Sequence, residues 1–531
     1  MTSPLVPVLP ETAPFSEDQR SWLNGFFAGL LGADGGTSVG TTNSLMPDAP
    51  AMQEEADEDH PWHDAAMPMT ERLALAESKP LKSKLMAAMA QLNCGACGYL
   101  CQTYSEAIAK GEEKNLTLCQ PGGKDTARKL KELIKTADIT IEGKAPSPGS
   151  TGSPEAANTT ANAGVFDRKN PYPAPLLAAT RLNAVGSAKD TRYVSVDIMH
   201  SGLSYKAGDA LGVYPENCYA LVSEILSLLH ASGGEIVMYR NQLIRELDII
   251  KPTDELLELM LANCMDESDK AVLAKLLEGE AVGGLPDEPQ VIDLLSCFAS
   301  IKLNMKEFVA TLMPMSPRLY SISSSPKAYP DEVHLTVGVV EYELAGRKRK
   351  GVASTYLGQR VHQHQPVRVF VQPSHGFAPP ADPSVPMIMV GPGTGIAPFR
   401  AFLQDRKADG ATGKNWLFFG DQHEATDFLY RDELEQFVAD GFLHQLSTAF
   451  SRDSDQKVYV QNRMLEHAAE LWQWLSEGGH FYVCGDAKRM AKDVDAALHT
   501  IVAQQGSMNE EDARAFVKQM SENGRYQRDV Y

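Results

Sequence analysis

Long apolar runs are missing from this 531-residue chain. None approaches the roughly 18 residues that a membrane-crossing helix needs, and the longest candidate, Gly25 to Ala33, falls far short. Cysteine is scarce, eight in all, and Cys218, Cys264, Cys297 and Cys484 are too scattered to read as a disulfide framework. Positive charge is also in short supply. Lys and Arg number 49 against 69 Asp and Glu, a net charge of −20, which argues against a nucleic-acid binder. An acidic surface suits either solubility alone or docking to a basic patch on a protein partner. Met1 to Pro14 carries no positive charge, so the pattern of a secretory signal is absent. The expected location is the reducing cytoplasm. A hydrophobic content of 43% and a charged content of 22% are ordinary for a globular protein, and the length suits about three domains.

Against that scarcity, four cysteines crowd one window: Cys94, Cys97, Cys101 and Cys119. Three close-set thiolates and a remote fourth can converge on one small inorganic core, as a 4Fe-4S cluster requires. A tetrahedral structural zinc site also uses four cysteines, but it usually pairs two C-x-x-C knuckles. The three-plus-one spacing favours iron and sulfur. His60 and His63 lie in a polar acidic stretch and are not expected to bind metal.

Composition divides the chain into a multidomain protein. Residues 1–31 end in an amphipathic helix (16–31), with Trp22, Phe26 and Leu30 at helical spacing. Residues 32–70 lack Lys and Arg and read as an acidic disordered linker. A small helical four-cysteine domain follows at 71–142, then a flexible Gly/Pro/Ser linker at 143–165. Residues 166–384 alternate as short strands, as expected of an antiparallel β-barrel, with a helical insertion at about 216–312. From 385 to 531 strands alternate with helices, as expected of a doubly wound α/β domain.

Two sets of residues carry chemistry. After the buried-strand signal Met387–Val390, the loop G-P-G-T-G supplies Gly391, Gly393, Thr394 and Gly395 before a helix. Glycines let backbone approach a pyrophosphate, and a helix N-terminus offers it N–H groups. Ser451, Arg452 and Lys457, with Tyr459 close behind, suit a ribose 2′-phosphate and so favour NADPH over NADH. Upstream, P-R-L-Y-S-I places Arg318 and Tyr320 on one face of a strand and Ser321 on the other. Arg318 can hold a phosphate, Tyr320 can lie against a flavin ring, and Ser321 can hydrogen-bond near its reacting nitrogen. Gly351, Val352, Ala353 and Ser354 open a second helix suited to a pyrophosphate.

From about residue 165 to Tyr531 these motifs resemble the FAD/NADPH half of the diflavin reductases, a branch of the ferredoxin–NADP reductase superfamily. Within that branch the sulfite reductase flavoproteins are the most similar. The resemblance rests on G-P-G-T-G-I-A-P-F-R-A-F, K-N-W-L-F-F-G, K-V-Y-V-Q, Y-V-C-G-D-A-K-R-M-A-K-D-V and R-Y-Q-R-D-V-Y. It implies that Ser321, Cys484 and Asp529 surround the place where hydride passes from nicotinamide to flavin. It further implies that Tyr531 stacks on the flavin and is displaced by nicotinamide, and that Tyr342 lies against the adenine of FAD. Thr336 is implied as a further FAD contact, and Gln461 and Asp493 as NADPH contacts.

The first 165 residues depart from the pattern. That family normally begins with an FMN-binding flavodoxin domain, and no such signal is visible there; the cysteine module takes its place. The module resembles four-cysteine cluster domains of electron-transfer proteins through C-G-x-C-G-Y, A-I-A-x-G and C-x-P-G-G, although three residues rather than four separate Cys97 from Cys101. The expected function is electron transfer from NADPH through FAD and the cluster to a partner, which the resemblance implies is a siroheme sulfite reductase hemoprotein. A nitrite or nitrate reductase, or a heme monooxygenase, could use the same outlet. A redox-sensing regulatory flavoprotein is the reading from a different class.

Overall fold

The computed structural model describes Trp62 and residues 67–91, 97–113, 115–119, 121–136, 166–374 and 376–531. The helix expected at 16–31, most of the acidic linker, the linker at 143–165 and Cys94 lie outside the described residues.

Around the cysteines, four short helices span Met69–Leu75, Leu81–Ala88, Cys101–Ala109 and Gly123–Thr136. Helices this short are marginal alone and are held by packing. In the last of them Thr126, Leu130 and Ile134 are buried at a four-residue spacing, one stripe of an amphipathic helix. They close on Leu85, Ala88, Met89, Tyr104 and Ile108. Arg72 is buried and donates to the carbonyls of Met67, Ala87 and Met89 at 2.8–3.0 Å, which locks the first helix to the end of the second. One expectation needs correction here. The acidic stretch does not run as linker to residue 70, because a helix starts at Met69 and Trp62 is fully buried against Ala76 and Ala87. An indole beside small alanine faces outweighs the polarity of its neighbours in sequence.

The antiparallel part comprises β1 (Tyr172–Arg181), β2 (Thr191–Asp197), β3 (Ala210–Tyr214), β4 (Arg318–Ser321), β5 (Glu332–Gly338), the hairpin of β6 (Glu341–Leu344) and β7 (Arg347–Lys350), and β8 (Pro366–Gln372). Six of these form one sheet in the order β4-β3-β8-β1-β2-β5. The bridge Ile322–Leu335 joins its two edges, so the sheet curls into a barrel and no edge is left open. Its core holds Leu176, Val194, Leu211, Val333 and Val367. Between β3 and β4 six helices, from Tyr219–Leu228 to Met305–Thr311, pack around a core of their own.

The insertion is tied to the hairpin by Arg349, which pairs with Asp293 while both side chains are almost wholly buried. Removing one partner of a buried pair leaves an uncompensated charge, at a cost of about 3–5 kcal/mol. Asp293→Ala should therefore lower the thermal midpoint sharply. The double variant Arg349→Met with Asp293→Leu should recover most of the loss, and a double variant as unstable as the single one would refute this account.

The second sheet is parallel throughout, in the order β11-β10-β9-β12-β13. Its strands are β9 (Met387–Val390), β10 (Asn415–Asp421), β11 (Gln445–Phe450), β12 (His480–Gly485) and β13 (Tyr526–Val530). All four residues of β9 and six of the seven in β10 are buried, as expected of strands covered on both faces. Among the described residues no helix is long and apolar enough to cross a membrane.

Candidate active site

The chain runs outward from β9 in two directions, first to β10 and β11, then back to β12 and β13. A crevice opens at such a reversal, beyond the carboxyl ends of the strands. The loop Gly391–Gly395 leaves β9 at that point and feeds the helix Ile396–Ala408. Its glycines are sterically required. A Cβ on Gly391 would lie 2.5 Å from both the Gly395 carbonyl oxygen and the Phe399 ring, and one on Gly395 would run into the Cys484 carbonyl. Gly393 has φ +57, a conformation that costs other residues. The loop therefore folds flat against the end of β12, leaving a cradle for a pyrophosphate over the helix N-terminus.

Beside this loop, Cys484 on β12 pairs in register with Asp529 on β13. Ser321 arrives from β4 of the barrel, and its hydroxyl donates to Asp529 Oδ2 at 2.8 Å. The Cys484 thiol faces the same oxygen at 3.9 Å. Loss of solvent raises the Asp529 carboxyl above its ordinary value in spite of both hydrogen bonds, which favour the charged form. Burial, reinforced by Asp529, pushes the Cys484 thiol well up. Cys484 is thus a neutral thiol at ordinary pH and no nucleophile. The Tyr531 backbone continues along β12, its N–H bonded to Gly485 at 3.0 Å. Its phenol reaches Thr394 Oγ1 at 2.8 Å while 41% of the residue stays exposed. The triad lies where barrel and parallel sheet meet, bridged by a hydroxyl, a carboxyl and a thiol.

The remaining expected residues lie on other strands, helices and turns of the two domains. Among the described residues Arg318 donates through Nη1 to the carbonyls of Ser316 and Pro317, each at 3.2 Å, and the rest of its fork could hold an anion. Burial raises the Tyr320 phenol, so it stays neutral. Gly351 precedes the helix Val352–Thr355, which contains Ala353, and Ser354 Oγ accepts from Val340 N at 3.1 Å. Thr336 is engaged by the Tyr430 hydroxyl at 2.7 Å, and Tyr342 is half-exposed on the hairpin. Ser451 and Arg452 lie past β11, their N–H groups held by Asp421 and Gln422 carbonyls at 2.9 Å. Their turn leaves Arg452, Lys457 and Tyr459 exposed. Gln461 donates to Asp493 at 3.2 Å.

In the cysteine module, Cys101 begins the helix Cys101–Ala109, and buried Cys119 sits against Gly122, where a Cβ would lie 2.9 Å from its sulfur. Tyr104 feels both Cys97 and Cys119, and burial raises its phenol. Cys97, Cys101 and Cys119 belong to this module, Cys119 buried and the other two half-buried. Among the described residues no group of three or more His, Cys, Asp or Glu is placed to hold a metal ion. Cys94, the remaining expected ligand, lies outside them.

Sequence reasoning missed the contacts that fix barrel and parallel sheet together. Asn183 donates to Asp427 at 2.9 Å, Lys189 pairs with Asp421, and Ser325 donates to Asp405 at 2.6 Å. Arg400 pairs with Glu433 at 2.6 Å and donates to the Ser323 carbonyl at 2.7 Å. The partners are up to 244 residues apart, and no local signal marks such pairs.

These features define a protein with an FAD-binding domain joined to an oxidoreductase NAD-binding domain. The family described as "FAD binding domain" matches residues 164–238 and 234–356, and that described as "Oxidoreductase NAD-binding domain" matches residues 389–496. Among curated proteins the chain is similar to the sulfite reductase (NADPH) flavoprotein alpha-components of three bacteria. It is 45% identical to that of Mannheimia succiniciproducens over 375 residues, 69% of this chain and 62% of the relative. For Bacillus subtilis the figures are 44% over 388 residues, 71% of this chain and 64% of the relative. For Neisseria meningitidis they are 44% over 393 residues, 73% and 64%. The chain thus spans somewhat under two thirds of the length of the relatives it matches.

Proposed function

We propose that this chain is an NADPH-dependent electron-transfer flavoprotein that takes electrons from NADPH through FAD and delivers them to a partner reductase. The observation that carries the reading is the Ser321–Asp529–Cys484 group at the meeting of an FAD-binding barrel and an NAD-binding sheet. The flavin supplies the ability to accept hydride and release its electrons one at a time. The chain's own residues do the rest. The Gly391–Gly395 loop and Arg452 hold the dinucleotide, Tyr531 covers the cleft until nicotinamide arrives, and Asp529 aligns the Ser321 hydroxyl and the Cys484 thiol around the transfer point. Arg318 and the helix after Gly351 would hold the phosphates of FAD.

Cys94, Cys97, Cys101 and Cys119 would hold a 4Fe-4S group as the outlet, in the position where related flavoproteins carry an FMN domain. The partner we propose is a siroheme sulfite reductase hemoprotein, in keeping with the relatives' names. The test is anaerobic addition of NADPH to the purified holoprotein, alone and then with that hemoprotein. Bleaching of the flavin followed by reduction of siroheme supports the reading; flavin that NADPH does not bleach refutes it. Reduction of a nitrite reductase in place of the sulfite enzyme would reassign the partner alone. Protein-bound iron and sulfide near four each would support the cluster, and stoichiometric zinc would exclude it.

Arg452→Ala probes the nucleotide preference. A charge-assisted hydrogen bond contributes about 1.5–3 kcal/mol, so KM for NADPH should rise roughly 10- to 150-fold while KM for NADH changes little. Equal loss with both nucleotides would place Arg452 away from the 2′-phosphate.

A further inference from the structure

We propose that Arg168 is a latch that docks the cysteine module on the barrel beside β4, making the edge Cys97–Gly98–Tyr99 the face at which the module receives electrons. The inference rests on the electron route proposed above and adds where the module sits and what holds it. Gly98 has φ +76, and a Cβ there would lie 2.6 Å from the Pro317 carbonyl oxygen and 2.8 Å from Pro317 Cγ. Backbone thus meets backbone at this seam. Pro317 immediately precedes Arg318, Tyr320 and Ser321, the strand assigned to the flavin.

Arg168 clamps the seam from the barrel side. Its guanidinium lies 3.5 Å over the Tyr99 ring and donates to the Gly98 carbonyl. Its own carbonyl accepts from the Tyr214 hydroxyl on β3 at 3.0 Å, so the latch is anchored to the barrel. Tyr99 is braced in turn. It stacks on Tyr104 with ring centroids 5.5 Å apart and donates to Glu113 at 3.1 Å. The Cys97 sulfur lies 3.5 Å from the Tyr99 carbonyl oxygen, which puts a cysteine directly behind this edge.

A cation–π contact and a hydrogen bond are each weak by themselves, which suits a module that docks reversibly. Each NADPH brings two electrons and one proton as hydride. On the route proposed above the proton would go to solvent, and the two electrons would pass singly to an acceptor that the cysteines would hold.

The experiment is hydrogen–deuterium exchange of the holoprotein over residues 97–111 and 314–322, with NADPH–ferricyanide reduction measured in parallel. In Arg168→Ala both segments should exchange on the order of tenfold faster, since a cation–π contact and a hydrogen bond are lost together. Arg168→Lys, which keeps the cation, should restore part of the protection. Gly98→Val leaves the Arg168 side chain in place but crowds Pro317 and forces the seam apart, and should loosen 314–322 in the same way. Ferricyanide reduction is read on the unaltered protein, where it reports the flavin side by itself. Wild-type exchange in Arg168→Ala, or protection of 314–322 retained in Gly98→Val, would overturn the latch. Failure of the unaltered protein to reduce ferricyanide would instead overturn the electron route and leave the exchange result to stand by itself.

Discussion

Asp529→Ala should slow reduction of bound FAD by NADPH about 10²–10³-fold, the usual cost of removing one preorganised polar group from a transfer site. Asp529 Oδ2 is the single atom on which both the Ser321 hydroxyl and the Cys484 thiol converge. Without it both lose their orientation. The loss should appear in the rate of flavin bleaching in stopped flow, with NADPH affinity nearly unchanged, because the nucleotide contacts we propose, the glycine loop and the Ser451–Arg452 turn, lie elsewhere. The direction of the pKa shift separates this effect from folding. The folded-state pKa of Asp529 is raised, so its contribution to stability is fully present below about pH 3.9, the unfolded value. That contribution is lost as pH rises through the folded value. Asp529→Asn should accordingly be no less stable than wild type at neutral pH while remaining slow. A variant both destabilised at pH 7 and normal in flavin bleaching would remove Asp529 from the site.

Gly395→Val should be as damaging by a different route. A Cβ at Gly395 meets the Cys484 carbonyl carbon at 2.8 Å and Gly485 Cα at 3.2 Å. Both are backbone atoms of a buried central strand and cannot swing aside. Overpacking of this kind costs about 1–3 kcal/mol, and relief requires the loop to lift off β12, which would dismantle the cradle we propose for the pyrophosphate. NADPH binding by titration calorimetry should weaken at least on the order of 100-fold, and the thermal midpoint should fall. Gly234 supplies the contrast. A Cβ there meets nothing within 4 Å, and it lies inside the helix Gly233–Arg245. Gly234→Ala should stabilise by roughly 0.5–1 kcal/mol and leave NADPH binding untouched. If both variants behaved alike, the steric account of the loop would fail.

The strand–glycine loop–helix arrangement at 387–408 was legible from its residues because it is set mainly by neighbours in sequence. Gly391, Gly393 and Gly395 follow a four-residue apolar strand and precede a helix, and the crowding at Gly391 comes from Gly395 and Phe399 in that same stretch, whereas the crowding at Gly395 comes from Cys484 on β12. The alternation that marked the barrel strands and the helical run at 216–312 were legible for the same reason, since side-chain periodicity is a property of neighbours in sequence. Trp62 shows the opposite case. Its flanking residues are acidic and polar, and only Ala76 and Ala87, folded back from later helices, provide the surface that buries it.

The sequence by itself determined the elements and the chemistry each can offer: which stretches alternate, which turn demands glycine, and where a thiol, a carboxyl and a hydroxyl are available. Only the tertiary structure decided that Ser321 meets Asp529 across 208 residues, and that the parallel sheet reverses at β9 beside Cys484. It also decided that Gly98 lies on Pro317 under the Arg168 guanidinium. Propensity and spacing act over one turn or one strand. Convergence across hundreds of residues is selected by closing the barrel and covering both faces of the parallel sheet, a condition on the whole folded chain.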